Sequence, residues 1–269
     1  RTMQGSARNF FTQSEFGKAT IELPPLPEQK KIAEILSGID KLFENLKEEI
    51  KKLEISKKAI LNNFLSCHLD HKESLKKITL KEFCEINPES LKDSTDLKQK
   101  FRYIDLSSIN NQKIDYSIKP ISFENLPSRA RRKIRKNDVL LGTVRPNLKN
   151  FAFIKNLSSD LLCSTGFAVL RSKPNLSLPT FIYQLINSDY FGQKLSSLIV
   201  GSNYPAVNQK QLEEIQLPLF SLKEQKKISE ILTEFDQNID SKEKKLVKIN
   251  YLKKSLSQDL LSGQKRVKV

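Results

Sequence analysis

The chain has 269 residues, 38% of them hydrophobic and 29% charged, enough apolar material for one large domain or two modest ones. Its 46 Lys and Arg against 31 Asp and Glu leave a net charge of +15, which points to a polyanionic partner, although a Lys-rich genome bias produces the same excess. No apolar run is long enough to cross a bilayer and no signal peptide opens the chain. Three scattered cysteines, Cys67, Cys84 and Cys163, exclude a disulfide framework and suit a reducing cytoplasm.

In chain order, the first element follows a stiff segment, Leu23-Pro24-Pro25-Leu26-Pro27, with Glu28 in the first turn of a helix. Ile32, Ile39, Leu46, Leu53 and Ile60 recur every seven residues, as do Leu36, Phe43, Ile50, Lys57 and Phe64. Such a seam predicts a helix of about 35–40 residues, roughly 55–60 Å long. The pattern then repeats. Residues 28–36, EQKKIAEIL, return at 224–232 as EQKKISEIL, and the same offset of 196 aligns Asp40 with Asp236, Lys57 with Lys253 and Leu65 with Leu261. The second seam runs through Ile228, Phe235, Lys242, Ile249 and Leu256, and through Leu232, Ile239, Leu246, Lys253 and Leu260. Neither stripe can be buried by its own helix. The expected solution is an antiparallel coiled coil of the two helices, with Lys57 and Lys253 snorkelling at its edge, fixing its register or facing an attached domain.

Between the helices, β-rich runs at 101–104, 138–141, 151–154 and 166–170 are separated by turn signals, and one helix is expected from Pro179 to about Leu198. The fold class is therefore α+β: a mixed domain flanked by two long helices. Residues 1–22 match the end of that domain under the repeat offset and read as the tail of a second copy. The expected layout is 1–22 as that tail, 23–66 as the first helix, 67–222 as the complete domain, and 223–269 as the second helix and tail.

Catalytic signatures are missing. Cys67-His68-Leu69-Asp70-His71 holds the two histidines, too few ligands for a structural zinc site. Cys163 has no histidine placed to activate it and reads as a core residue. There is no phosphate-binding loop, no methyltransferase Asn/Asp-Pro-Pro-aromatic motif and no nuclease constellation.

Several segments, in this order, resemble the specificity subunits of type I restriction-modification systems. They are Leu26-Pro27-Glu28-Gln29 with Lys31 to Leu36 and its copy from Glu224 to Leu232; Gly142-Thr143-Val144-Arg145-Pro146; Cys163-Ser164-Thr165-Gly166-Phe167; Gly201 with Tyr204-Pro205-Ala206-Val207; and Leu260-Leu261-Ser262-Gly263 before Arg266-Val267. The resemblance covers nearly the whole chain. It implies a target-recognition domain that reads double-stranded DNA and helices that dock methyltransferase (M) and restriction (R) subunits. It also implies no catalysis and no cofactor in this chain, since S-adenosylmethionine, ATP and magnesium belong to the partners. The family carries two recognition domains and this chain one plus a stub, which suggests a homodimer or pairing with another specificity chain.

On that reading, the expected DNA-binding residues fall in three groups. The densest is Arg129, Arg131, Arg132, Lys133, Arg135 and Lys136, suited to phosphates and to guanine edges, although a solvated basic loop or helix face carries the same residues. The second is Arg145, Asn147 and Lys149 around Pro146. The third is Ser202, Asn203 and Tyr204. Two other readings remain: an inactive or regulatory fragment that binds partners through its helices, and a nuclease fused to a recognition domain.

Overall fold

The computed structural model describes residues 17–18, 23–70, 76–155, 160–199 and 205–268, with the side chains of 67–70 left out. The Cys67–His71 group falls outside the described side chains. The chain forms two compact units, one of residues 1–52 and 239–269 and one of residues 53–238, so each long helix contributes to both.

The first long helix, α1, spans Leu26–Asp70, and the last, α6, spans Leu222–Leu261. At 45 residues, α1 exceeds the expected length. In the first unit, Glu49 pairs with Lys242, Asp40 with Lys253 and Glu28 with Arg266. Partners descend one helix as they climb the other, so the helices are antiparallel. Ile32, Leu46 and Ile50 are buried between them. Lys253 and Lys57 do not snorkel. Lys253 lies 2.6 Å from Asp40, and in the second unit Lys57 lies 2.6 Å from Asp236. The repeat offset relates Asp40 to Asp236 and Lys57 to Lys253, so one ion pair is the repeat image of the other.

The second unit carries the α+β domain. After α1 come β1 (Lys77–Thr79), α2 (Leu80–Phe83), β2 (Cys84–Ile86), β3 (Lys100–Ile104), β4 (Ile109–Asn110), β5 (Lys113–Ile114), β6 (Ile121–Ser122), β7 (Ala130–Lys133), β8 (Val139–Gly142) and β9 (Phe151–Phe153). They are followed by β10 (Leu161–Ser164), β11 (Phe167–Ser172), α3 (Pro179–Ile186), α4 (Asp189–Ser197), α5 (Gln209–Glu213) and β12 (Gln216–Pro218). Two four-stranded sheets dominate, ordered β6-β3-β10-β7 and β2-β11-β8-β9. Only β3 and β10 run parallel among their neighbours.

The period-2 alternation of strands builds three layers. Leu140, Phe167 and Val169 face the first sheet, against Ile104, Leu161 and Cys163. Val139, Leu141, Ala168 and Leu170 face the other way, against Phe181, Ile182 and Leu185 of α3 and Leu61, Leu65, Ile228 and Leu232 of the long helices. Because β8 is covered on both faces, it reads as a continuous apolar run rather than an alternating one. The helix expected over 179–198 is two helices. The Ser188 hydroxyl accepts from Phe191 N at 3.1 Å and starts α4 afresh, which breaks the run.

Candidate nucleic-acid interface

The run Arg129–Lys136 is a strand and a turn, neither the loop nor the helix face that its charge suggests. Alternation along β7 splits its residues. Ala130 and Ile134 are buried, and Arg132 points the same way. The Arg132 guanidinium donates to the Phe167 carbonyl and to Asn87 Oδ1, which also accepts from Val169 N at 2.9 Å. Burial lowers the Arg132 pKa. Asn87 holds its place with φ of 53°, a left-handed backbone that Asn tolerates. Arg132 therefore ties β7 to β11 and to the chain after β2, and does not lie on the outward surface where the sequence placed it.

Arg131 lies over the Phe123 ring, 5.3 Å from its centroid, and 3.4 Å from Asp93. Arg135 is exposed but pairs with Glu89 at 2.7 Å. Glu89 is shared with Arg171, which also grips Asp138 through two 2.8 Å bonds. Asp138 is 1% exposed, so this double bond is what makes its burial tolerable. The Arg171 hydrogen bond holds the Glu89 carboxyl below its ordinary pKa, with Arg135 adding to the effect. Of the six cations in the run, Arg129, Lys133 and Lys136 are exposed and have no ion pair among the described residues.

Arg129 and Lys136 lie at opposite ends of β7. The Arg129 end joins the second predicted group through backbone hydrogen bonds. Thr165 N donates to the Arg129 carbonyl at 2.9 Å, Thr143 N to the Gly166 carbonyl at 2.8 Å, Arg145 N to the Pro205 carbonyl at 2.8 Å, and Val207 N to the Thr143 carbonyl at 3.0 Å. Arg129, the β10–β11 turn, the β8–β9 loop and the chain leaving residues 201–204 thus form one continuous rim. Ser202, Asn203 and Tyr204 themselves lie outside the described residues; Pro205, which follows them in the chain, accepts from Arg145 N.

The β8–β9 loop has a defined shape. Arg145 (φ 48°, ψ 57°) and Lys149 (φ 50°, ψ 41°) are both left-handed and bracket a single 3-10 turn, Pro146–Leu148. Leu148 N donates to the Arg145 carbonyl at 2.9 Å and Lys149 N to the Pro146 carbonyl at 3.0 Å. Gly142 at its base is required, because a Cβ there would meet the Asn150 carbonyl at 2.9 Å. Pro146 is buried, while Arg145, Asn147, Leu148 and Lys149 are exposed. Beside the loop, a cleft of about 50 Å³ runs between Pro146, Asn147 and Lys149 and the α4 residues Leu195 and Ser196.

Thr165 and Leu148 also stand exposed on this rim, and the sequence reading gave neither a role. Thr165 lies in the Cys163–Phe167 segment that carries the family resemblance, while nothing in the local sequence marks Leu148; long-range pairing puts both on the rim. Cys163 is buried, which pushes its thiol up to about 12, and Cys84 is likewise up to about 12, so neither is a nucleophile near neutral pH. Among the described residues no group of three or more His, Cys, Asp or Glu could hold a metal ion, and no helix is long and apolar enough to cross a membrane.

The family described as the type I restriction modification DNA specificity domain matches residues 2–55 and 72–251. The chain is 28% identical over 270 residues to the type I restriction enzyme MjaVIII specificity subunit of Methanocaldococcus jannaschii, covering 94% of this chain and 64% of that one. It therefore spans less than two thirds of that curated relative. Among solved structures it is similar to the HsdS subunit of Thermoanaerobacter tengcongensis, with 33% identity, a TM-score of 0.54 and coverage of 63% of this chain and 44% of that one. The S subunit of the type I system of M. genitalium shares the fold over 96% of this chain and 67% of its own, with a TM-score of 0.59 at 20% identity. With most of its length, residues 2–55 and 72–251, matched by the family model, this chain belongs to the type I restriction modification DNA specificity domain family.

Proposed function

We propose that the chain is a non-catalytic, DNA-reading specificity subunit of a type I restriction-modification complex, working in the cytoplasm. The observation that carries this is the rim that joins Arg129, Thr165, the Arg145–Lys149 loop and Pro205 through successive backbone hydrogen bonds. A rim of exposed cations and amides on a rigid sheet suits phosphate positioning with base reading beside it. Arg129, Lys133 and Lys136 are the outward cations of the 129–136 run with no ion pair among the described residues, while Arg132 is turned into the domain and Arg131 and Arg135 are paired with Asp93 and Glu89.

The docking of methyltransferase and restriction subunits falls to the helices. Leu42, Val247 and Tyr251 stand exposed there among charged neighbours, and large exposed apolar side chains suit a protein partner. The repeat also supports a second seat for a recognition domain. In the second unit, Gln225 donates to the Phe220 and Leu176 carbonyls and accepts from Leu178 N, and Asp236 accepts from Gln184 as well as Lys57. In the first unit the repeat equivalents are Gln29 and Asp40. Gln29 keeps the bond to its own helix entry, donating to the Pro24 carbonyl, and Asp40 keeps its lysine. The bonds that a docked domain supplies have no counterpart there among the described residues. Leu261, the image of buried Leu65, is 68% exposed. This seat is where the domain whose tail is residues 1–22, or that of another specificity chain, belongs.

The test is selection from a random duplex library by the chain mixed with the methyltransferase subunit encoded beside it. An enriched motif is the expected result, two-part if a second domain fills the other seat. Retention of the methyltransferase with no enriched sequence would overturn DNA reading and leave a partner-binding module.

A further inference from the structure

Leu148 is the feature of the rim that phosphate binding does not explain. The exposed large apolar residues of the α+β domain are Leu97, Ile121 and Leu148, among those described. Leu97 and Ile121 lie by the β6 edge of the first sheet, the edge opposite β7: Glu124 N donates to the Leu97 carbonyl, and Ile121 is opposite Phe101. Leu148 stands apart from them, 58% exposed, with Asn147 on one side and Lys149 on the other.

Its position is built rather than incidental. Two L-residues with side chains occupy the left-handed region on either side of it, a conformation that Cβ disfavours. The 3-10 turn, the buried ring of Pro146 and the Gly142–Asn150 approach hold that loop in one shape. A fixed turn that pushes a leucine into water loses hydrophobic burial unless something covers it. The surrounding charge indicates what does. Arg129, Arg145 and Lys149 on the same rim would meet phosphates, and the apolar material inside a polyanion consists of its bases and their methyl groups.

We propose that Leu148 is a specificity-determining residue that makes an apolar contact with one base of the target, with Lys149 and Arg129 anchoring the phosphates around it. The proposal rests on the DNA-reading role given above. An apolar base contact carries preference at one position but no charge, whereas a phosphate contact carries charge and no preference. The two leave different signatures in salt dependence.

The experiment compares the wild-type chain with Leu148→Ala and Lys149→Ala, each measured against the selected duplex over a series of salt concentrations and each reselected from the random library. Both side chains are exposed, so both variants should fold as the wild type does. The expected result for Leu148→Ala is about a ten-fold weaker complex, preference lost at a single base position, and an unchanged salt slope. Lys149→Ala should weaken binding evenly across sequences and reduce the salt slope by about one. Unchanged affinity and motif for Leu148→Ala would overturn the proposal, as would a change confined to retention of the methyltransferase subunit, which would make Leu148 a protein contact. A wild-type chain that enriches no motif would sink the DNA-reading role itself, a failure seen before any variant is compared.

Discussion

Arg132 sits in the densest basic run of the chain, yet its guanidinium is used inside the domain, on Asn87 and the Phe167 carbonyl. Removing it leaves those acceptors without their charged donor. Arg132→Ala should therefore lower unfolding free energy by about 1–3 kcal/mol in denaturant titration, whereas Arg129→Ala should leave it unchanged and reduce the salt slope of DNA binding by about one. Glu89 makes a second residue-scale prediction. Its folded pKa is depressed by Arg171, so the stability it confers is complete above its ordinary carboxylate pKa and is lost as pH falls through the depressed value. Glu89→Gln should flatten the fall in melting temperature on going from neutral to acid pH. An unchanged slope would mean that Glu89 is not tied to Arg171 in solution. The buried thiols of Cys84 and Cys163, both raised to about 12, should resist alkylation at pH 8 until denaturant is added, as peptide mass mapping would show.

At the scale of elements, the two long helices carry the same residue in two settings. Asp236 accepts from Lys57, whose side chain is 15% exposed, and from Gln184 of α3. Asp40 pairs with Lys253, and both are about half exposed. Exposed pairs contribute little, and half-buried ones with a further hydrogen bond contribute more. Asp236→Asn should cost about 1–2 kcal/mol and Asp40→Asn less than about 0.5 kcal/mol, measured by chemical denaturation. Equal costs would mean that the Gln184 bond adds nothing. The same contrast explains how far the heptad pattern could be read. The seam was legible because burial between helices repeats every seven residues. The partners of its two lysines were not, because each lies on the other helix, some 180 or more positions away.

For the whole molecule, one sequence repeat has two different environments. Ser229 is packed under the α+β domain, while its repeat image Ala33 is exposed. An arginine at Ser229 must displace packed side chains or bury a charge, and at Ala33 it meets water. Ser229→Arg should lower the melting temperature by several degrees and Ala33→Arg should leave it within about a degree. A fall for both would mean that the first unit already carries a cover over Ala33.

The sequence by itself determined the two helices, their antiparallel seam, the α+β class of the intervening domain and four of its strands, because these follow from periodicity, proline placement and repetition, which are local or exactly offset. Tertiary structure decided which cations face outward. A basic run has no direction until strand pairing assigns alternate residues to opposite faces, and that turned Arg132 inward while leaving Arg129, Lys133 and Lys136 outside. It also broke the helix at Ser188, where a side-chain cap outweighs apolar spacing, and joined Arg129 to the Arg145–Lys149 loop through strands far apart in sequence. The rim on which the proposed function rests is made of backbone hydrogen bonds, and no residue type announces where those will form.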